Sequence, residues 1–456
     1  MKVSIIGSGY VGLSTAVALS YIGHDVSCID IDQNKIDNLN KGIAPFYEPA
    51  LDELLLKLKD KCEFTTDYKK GLADTEIIFL AVGTPSTPAG NANLTYLYDA
   101  ITKTANHSFT NNPIIVTKST VPVGTSKEIE AIFERVLPNQ KFRIASNPEF
   151  LRQGRALHDT LFPERIVAGS SSKEALDIIK ELYKPILEQS FADSKALARP
   201  KELTSVPFIA TSIESAELAK YAANAFLATK ISFANEIANV CDVVGADIKE
   251  VVEVLSHDSR IGSKFLNAGL GYGGSCFPKD TRALAYISHR GGYNFKLLNA
   301  VIGVNNDQRF KVIEKIENAL GHLHGKNICI LGLTFKPGTD DLRDAPSIDI
   351  AQELLQRGVS VSAHDPIAIE TASKILDPKV KLFSNVEAAL KNADAVVLVT
   401  EWQDYIDLDW TDMKNIVKHA ILIDGRNALN PKEMDEAGWI YQGVGRRGTI
   451  DKPVLI

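Results

Sequence analysis

A chain of 456 residues is longer than one ordinary hydrophobic core supports, so two or three domains are expected. A net charge of -7 with interspersed signs leaves no basic footprint for nucleic acid, and no apolar run reaches the ~18–20 residues of a membrane span. The five cysteines, Cys28, Cys62, Cys241, Cys276 and Cys329, are odd in number, far apart and lack a C-x-x-C pair, which argues against a disulfide framework or a metal site and predicts a cytoplasmic protein.

The first strand begins at Val3, which leaves no room for a signal peptide. It runs into Gly7-Ser8-Gly9-Tyr10-Val11-Gly12, an alanine-rich helix to about Tyr21, and a second strand from Asp25 that closes on Asp30. This is G-x-G-x-x-G in its required setting. Gly7 permits the tight turn, Gly9 lets the backbone approach a pyrophosphate, Gly12 lets helix and strand pack closely, and the helix N-terminus faces the phosphates. A carboxylate at Asp30, with Asp32 near enough to share its role, suits ribose hydroxyls and repels a 2′-phosphate, so NAD is favoured over NADP.

Apolar strand runs recur at Ile77–Val82, at Ile114–Thr117 and near Ile144, alternating with helical stretches, as a parallel doubly wound sheet requires. Two of them end in the polar loops Gly83-Thr84-Pro85 and Lys118-Ser119-Thr120-Val121-Pro122, which places Thr84 and Thr120 where such sheets bind ligands; plain turn chemistry is the alternative for both. Residues 190–207 hold prolines and little periodicity and read as a connecting loop. A continuous helical pattern then runs from Thr211 to Val244, opened by a Thr211-x-x-Glu214 capping box and closed by Gly245. Lys220 and Asn224 stand four apart on one face of it among alanines and aromatics, so the lysine is either snorkelling or held for chemistry.

Gly271-Tyr272-Gly273-Gly274-Ser275-Cys276-Phe277-Pro278-Lys279-Asp280 puts three glycines before a single thiol, with a lysine and a carboxylate close behind. The two readings are a reactive cysteine whose glycines clear space for a ligand, and a glycine loop with an inert buried thiol. A second strand, turn and helix unit starts at Asn327–Leu333. Its next strand, Val359–Ala363, runs into His364-Asp365, and strands near 395–399 and 420–424 complete a sheet. The glycine pattern there is degenerate, so it reads as a second Rossmann-like domain without a second dinucleotide site, and Lys336 and Arg343 in its turn could bind phosphates. The expected class is thus α/β: two Rossmann-like doubly wound domains joined by a helical middle domain with a long central helix. The expected division is residues 1–203 for NAD, 204–310 for dimerisation and catalysis, and 311–456 for a nucleotide-bearing substrate.

A thiol is the odd ingredient beside NAD. Oxidising an alcohol needs only a base and a hydride path, whereas going on from aldehyde to acid is helped by a thiolate that adds to the carbonyl, giving a thiohemiacetal and then a thioester. With these residues in order the chain resembles the UDP-glucose and GDP-mannose dehydrogenases over nearly its whole length. The resemblance rests on Gly7–Gly12, Val82-Gly83-Thr84-Pro85, Ser119–Thr125, Asn147-Pro148-Glu149-Phe150-Leu151, the Lys220 to Asn224 helix, the Cys276 decapeptide and Phe335-Lys336. It implies a four-electron oxidation of a sugar C6 alcohol to a uronic acid with two NAD used in turn, UDP-glucose as the substrate, and a homodimer or larger homo-oligomer through the central helix.

Carried over by position, the resemblance implies Cys276 as nucleophile, Lys220 as stabiliser of the oxyanions, Asp280 with Thr120 as holder of a water, Glu149 as base for thioester hydrolysis and Asn224 as partner of the sugar oxygen. It implies cofactor contacts at Gly7, Gly9, Tyr10, Val11, Gly12, Asp30, Lys35, Thr84, Thr120, Lys279 and Arg343. Substrate contacts are implied at Glu149, Phe150, Leu151, Lys220, Asn224, Arg260, Phe265, Tyr272, Gly273, Phe335, Lys336 and Arg426, with no metal. Arg260 would reach the neighbouring subunit's substrate. One departure stands out: a second glutamate usual in the family is Gln153 here, and glutamine cannot act as a base. The rival readings are a two-electron hydroxy-acid dehydrogenase, which leaves Cys276 unexplained, and a nucleotide-sugar-binding scaffold, which leaves intact Cys276, Lys220 and Asp280 unexplained. A GDP-mannose or UDP-N-acetyl-sugar substrate is the alternative within the family, against which stand Ser275 and the Phe277–Asp280 ending.

Overall fold

The structure, a computed structural model, describes residues 1–193, 197–446 and 448, and the chain divides into two compact units, Met1–Ala223 and Asn224–Ile456. The first unit is built on strands β1 (Lys2–Ile6), β2 (Asp25–Ile29), β3 (Cys62–Thr65), β4 (Ile77–Leu80), β5 (Ile114–Thr117), β6 (Arg143–Ser146), β7 (Ile166–Gly169) and β8 (Phe208–Thr211). They form one sheet in the order β3-β2-β1-β4-β5-β6-β7-β8. The first six follow the dinucleotide-binding order, with the switch point between β1 and β4. All pairs are parallel except β6 with β7, which meet antiparallel at Ser146 and Gly169. β4 and β5 are buried at every position, as strands covered on both faces must be. The side chains of β1, β4 and β5 alternate between two cores: Val3, Ile5, Phe79 and Val116 enter one, and Ile6, Ile78, Leu80 and Ile115 the other.

The long helix spans Ile213–Val244, 32 residues, and its residues from Asn224 on belong to the second unit. Its start differs from the expected capping box. Thr211 is the last residue of β8, and it is the Ser212 hydroxyl that accepts from the Ser215 N–H, at 3.2 Å. Glu214 points instead to an ion pair with Lys127 at 2.6 Å. Within the expected connecting loop, residues 194–196 lie outside the described residues, and the remainder carries no helix.

The second unit adds the helices Ile248–Ser256, Phe277–Arg290 and Lys296–Leu320 and a six-stranded parallel sheet. Its strands are β9 (Asn327–Leu331), β10 (Ser360–His364), β11 (Lys381–Phe383), β12 (Ala395–Leu398), β13 (Ile421–Asp424) and β14 (Ile440–Gly443), in the order β11-β10-β9-β12-β13-β14. This repeats the strand order of the first unit down to its first turn. Gly7 (φ +103°) donates its N–H to the Ile29 carbonyl at 2.7 Å, and Gly332 (φ +90°) donates to that of His364 at 2.9 Å. The likeness ends there, because the next helix starts at Tyr10 in one case and not until Pro346 in the other. Asp365, the counterpart of Asp30, is 1% exposed and accepts from the N–H groups of Leu333 and Thr334 (2.8 and 3.2 Å) and from the Trp402 indole (3.2 Å). An acid so engaged by its own turn has little left for a ribose. Among the described residues no helix is long and apolar enough to cross a membrane.

Candidate active site

In the first unit the glycine-rich turn does what its spacing requires. A Cβ on Gly7 would lie 2.6 Å from the Ala81 carbonyl oxygen, and one on Gly12 would lie 1.9 Å from that of Gly7. Gly9, the N-cap of the Tyr10–Tyr21 helix, behaves differently: an added Cβ meets nothing within 4 Å, so the room it leaves lies outside the chain, at the positive end of a helix. Tyr10 stacks on Phe46 with ring centroids 3.8 Å apart.

Asp30 follows β2 with Oδ2 accepting from the backbone N–H and hydroxyl of Ser8 (2.8 and 2.6 Å) and from Lys35 Nζ (3.1 Å). Burial works against its ionisation, but the Ser8 and Asp32 hydrogen bonds and Lys35 outweigh it and hold the carboxyl below its ordinary value. Asp32 is committed elsewhere, capping the Gln33–Asn40 helix through the Lys35 N–H at 3.1 Å. Replacing Asp30 with alanine should weaken NAD binding roughly 10- to 100-fold in a calorimetric titration, the worth of charged hydrogen bonds; an unchanged affinity would remove the ribose role.

The loops after β4 and β5 meet at the carboxyl edge of the sheet, where the Thr84 hydroxyl donates to the Thr120 carbonyl at 2.8 Å and the Ser119 hydroxyl to that of Val82 at 2.7 Å. Glu149 and Lys220 form a buried pair, Oε1 to Nζ 2.9 Å, with the two side chains 7% and 4% exposed. The Leu151 N–H donates to Glu149 Oε2 at 2.5 Å, and the Lys220 ammonium lies 5.6 Å from the centre of the Phe150 ring. Burial disfavours ionised Glu149, yet Lys220, the Leu151 N–H and Lys118 prevail and hold its carboxyl below the usual range.

Two charged residues of this neighbourhood were not singled out from the sequence. Lys118 is 7% exposed and donates to Asn147 Oδ1 at 3.0 Å. Glu217, 3% exposed, accepts from the N–H groups of Gly124 and Ser126 (2.7 and 3.0 Å) and from the Ser126 hydroxyl (2.6 Å), so the long helix closes the N-terminus of the Thr125–Val136 helix. The available signals were position alone: Lys118 directly follows the Ile114-Ile115-Val116-Thr117 strand, and Glu217 lies one helical turn before Lys220.

In the second unit Cys276 is the N-cap residue of the Phe277–Arg290 helix and is partly exposed, whereas the other four free cysteines are buried. Burial pushes the thiols of Cys62 and Cys329 up to about 12, which leaves them inert. One turn on, Asp280 is 1% exposed; its carboxylate accepts from Asn224 Nδ2 at 2.6 Å and pairs with the Lys279 ammonium, and its N–H donates to the Cys276 carbonyl at 2.8 Å. Cys276, Lys279, Asp280 and Asn224 therefore form one constellation.

The glycines before the thiol correct the expectation that they clear space for a ligand. A Cβ on Gly273 would lie 2.4 Å from the Asp344 carbonyl oxygen, and one on Gly274 would lie 2.7 Å from the Phe335 ring. The Gly274 N–H donates to the Arg343 carbonyl at 2.8 Å, so these glycines let the thiol loop dock against the chain's own 335–344 loop. Tyr272 is fixed by Asn305, which accepts from its N–H at 2.7 Å and donates to its carbonyl at 3.1 Å. The Arg426 guanidinium donates to the carbonyls of Val399 (2.7 Å), Gly271 (3.3 Å) and Phe335 (3.1 Å), tying three loops together.

Lys336 lies 5.6 Å from the Phe335 ring centre, Arg343 grips Asp341 through Nε and Nη2 (2.8 and 2.7 Å), and Phe265 (φ +65°) meets the edge of Phe277 at 6.0 Å. The Arg260 side chain is 88% exposed and paired with Asp258 at 2.5 Å. A cavity of about 580 Å³ in this unit is lined by Arg282, Arg309, Arg343 and Asp349 among others but not by Cys276, so cavity size does not mark the thiol.

A first sheet with an open glycine beside a helix N-terminus and an acid fixed after β2 fits a dinucleotide, and the class so defined is an NAD-dependent dehydrogenase. Three segments match models of one family: residues 1–187 its NAD binding domain, 214–307 its central domain and 329–431 its UDP binding domain. The chain belongs to the UDP-glucose/GDP-mannose dehydrogenase family. It is 45% identical over 454 residues to the UDP-glucose 6-dehydrogenase TuaD of Bacillus subtilis (strain 168), covering 98% of this chain and 94% of that one. Among solved structures, a UDP-glucose dehydrogenase from the hyperthermophilic archaeon Pyrobaculum islandicum matches with TM-score 0.88 and 34% identity, covering 98% of both chains. A UDP-D-ManNAc dehydrogenase from Pyrococcus horikoshii matches with TM-score 0.82 and 26% identity, covering 98% of this chain and 99% of that one.

Proposed function

We propose that this protein oxidises the C6 alcohol of UDP-glucose to the carboxylate of UDP-glucuronate, with the aldehyde and a Cys276 thioester as successive intermediates. The observation that carries the reading is the partly exposed Cys276 thiol at a helix N-terminus one turn from Asp280, in a chain with an NAD domain. Gly7, Gly9, Tyr10, Val11, Gly12, Asp30, Lys35, Thr84, Thr120, Lys279 and Arg343 would hold NAD, which would supply the acceptor for the hydride lost from C6 in each oxidation.

The chain's own groups do the rest. Asp280, with Thr120, holds the water that takes the alcohol proton, and the Asn224 amide bound to Asp280 is turned by it toward the sugar oxygen. The positive end of a helix favours an anionic sulfur, which adds to the aldehyde carbon; the oxygen anion so formed is stabilised by the Lys220 ammonium, a fixed cation in a dry site. Loss of the second hydride leaves the thioester, and water, deprotonated by Glu149, adds to it and expels the Cys276 thiolate. With Gln153 in place of a second carboxylate, that step rests on Glu149 or on a water near Asp280. Phe150, Leu151, Phe265, Tyr272, Gly273, Phe335, Lys336 and Arg426 hold the nucleotide sugar, and Lys336 is the cation for its diphosphate.

The same reading divides the chain at 1–203, 204–310 and 311–456 and makes it a homodimer or larger homo-oligomer through the long helix. Support for assembly comes from Phe226, Phe233 and Val240, spaced by seven and 65%, 51% and 52% exposed on that helix. Arg260, 88% exposed in its side chain, would exchange its Asp258 pairing for a neighbouring subunit's substrate. Phe233→Glu should halve the mass seen by sedimentation, and an unchanged mass would place the contact elsewhere. Five free cysteines suit a reducing, cytoplasmic setting.

The deciding experiment for substrate is a panel of UDP-glucose, GDP-mannose and UDP-N-acetyl sugars with NAD, with products analysed as uronates. UDP-glucose should be preferred by at least ~10²-fold in kcat/KM, the discrimination a site built for one substrate's polar groups shows against another's; preference for another sugar would reassign the substrate within the family.

A further inference from the structure

Among the charged side chains sealed into the first unit are Lys118, Glu149 and Lys220, which are 7%, 7% and 3% exposed. Glu149 and Lys220 neutralise each other, so Lys118 is a second buried cation, and burying a cation without a carboxylate of its own is costly. Among the described residues its ammonium donates to the Asn147 side-chain oxygen at 3.0 Å, not to a carboxylate, and lies 5.9 Å from the ring centres of both Phe79 and Tyr183. Asn147 is held at every polar atom of its amide. Oδ1 also accepts from the Tyr183 hydroxyl (2.8 Å), Nδ2 donates to the Val167 carbonyl (2.7 Å), and its backbone N–H donates to the Thr117 carbonyl (2.9 Å). Two donors on one side and a carbonyl on the other fix the amide's orientation. Glu149 follows two residues later, across Pro148, so whatever fixes Asn147 fixes the start of the segment that presents the carboxylate.

We propose that Lys118 is a positioning residue for the Glu149–Lys220 pair: its ammonium locks Asn147, and with it the Asn147–Glu149 segment, and supplies the second positive charge that faces Glu149. The proposal rests on the reaction assigned above. A neutral side chain of the same length would serve the packing between Phe79 and Tyr183 equally well, so the charge itself calls for a role. Facing Lys118 are Glu149 from the loop after β6, Lys220 from the long helix and the Tyr183 phenol. Burial, together with Lys220, depresses its amine to about 8, while Glu149 opposes the shift. The ammonium is therefore present below about pH 8 and lost above it, and the three-residue group passes from a net single positive charge to neutrality.

The test uses the full-length protein with Lys118→Met and Lys118→Arg. The methionine variant should lose about 10- to 100-fold in kcat, the usual effect of removing a group that orients a catalytic one, with KM for NAD within about twofold of the parent. The arginine variant should recover most of kcat, and its pH profile should lack the change that the parent shows near pH 8, because a guanidinium stays charged. Lysine-selective carbon NMR of the resting protein gives a readout independent of turnover. The resonance absent from Lys118→Met should titrate near pH 8 and move to lower pH in Glu149→Gln, where the neighbouring negative charge is gone. A methionine variant with parental kcat, an arginine variant with the parental pH profile, or a resonance whose midpoint ignores Glu149→Gln would overturn the proposal. A parent that oxidises no nucleotide sugar would instead sink the reaction, and the NMR arm would still judge the coupling.

Discussion

Cys276→Ser should bind UDP-glucose and NAD with parental affinity yet lose uronate formation by roughly 10⁴-fold or more, the scale on which removal of a nucleophile is felt. The reason is specific to the second oxidation. A serine hydroxyl at the same N-cap position ionises far less readily than a thiol, so the aldehyde has no covalent partner from which a second hydride can leave. The helix itself should be undisturbed, since serine is a favoured N-cap residue. Cys276→Ala separates binding from chemistry further, because it retains the docking of the thiol loop against Phe335 and Arg343 while removing the sulfur. Turnover to uronate at the parental rate by Cys276→Ala would end the thioester scheme.

Lys220→Ala should reduce kcat by about 10²–10³, the effect of deleting one preorganised stabiliser of an oxyanion. It should also destabilise the fold, because it strands Glu149 as a buried, unpaired charge, a change worth about 3–5 kcal/mol. The two effects part in the double variant Lys220→Met with Glu149→Gln, which should regain most of the stability and none of the turnover. The pH dependence has a defined sign. Glu149 is held below its ordinary value in the folded protein, so its pairing contributes fully above about pH 4.3 and is lost as the pH falls through the folded value. The stability gap between parent and Lys220→Ala should accordingly be widest near neutral pH and close in acid. Equal unfolding midpoints at pH 7 would show that the pair contributes nothing.

How much of this was readable from the residues depended on how local the cause was. The G-x-G-x-x-G turn, Asp30 and the two sheets could be read because each is fixed by neighbours within one strand, turn and helix, and the first turn of the second sheet repeats the first even to its glycine hydrogen bond. β3, β7, β8, β11 and β14 escaped notice because none carries the run of three or more large apolar residues that marks β4 and β5. The helix start moved from Thr211 to Ser212 because β8 claims the threonine.

Buried charge was the harder case. Glu217 and Lys118 look like ordinary surface residues in the chain, and only their partners, the N–H groups of Gly124 and Ser126 in one case and Asn147 in the other, reveal why they are inside. The glycines at 273 and 274 show the reverse error: their type was informative, but the close neighbour they permit is the chain's own loop. Arg426 could not be placed from the sequence for the reason that held for Lys118: the carbonyls it donates to, of Val399, Gly271 and Phe335, lie far from it along the chain.

The most direct test of a four-electron oxidation through Cys276 is to count NADH formed per UDP-glucose consumed at exhaustion. The scheme predicts two, with UDP-glucuronate as product and no free aldehyde accumulating; one NADH per sugar, with the aldehyde as product, would contradict it.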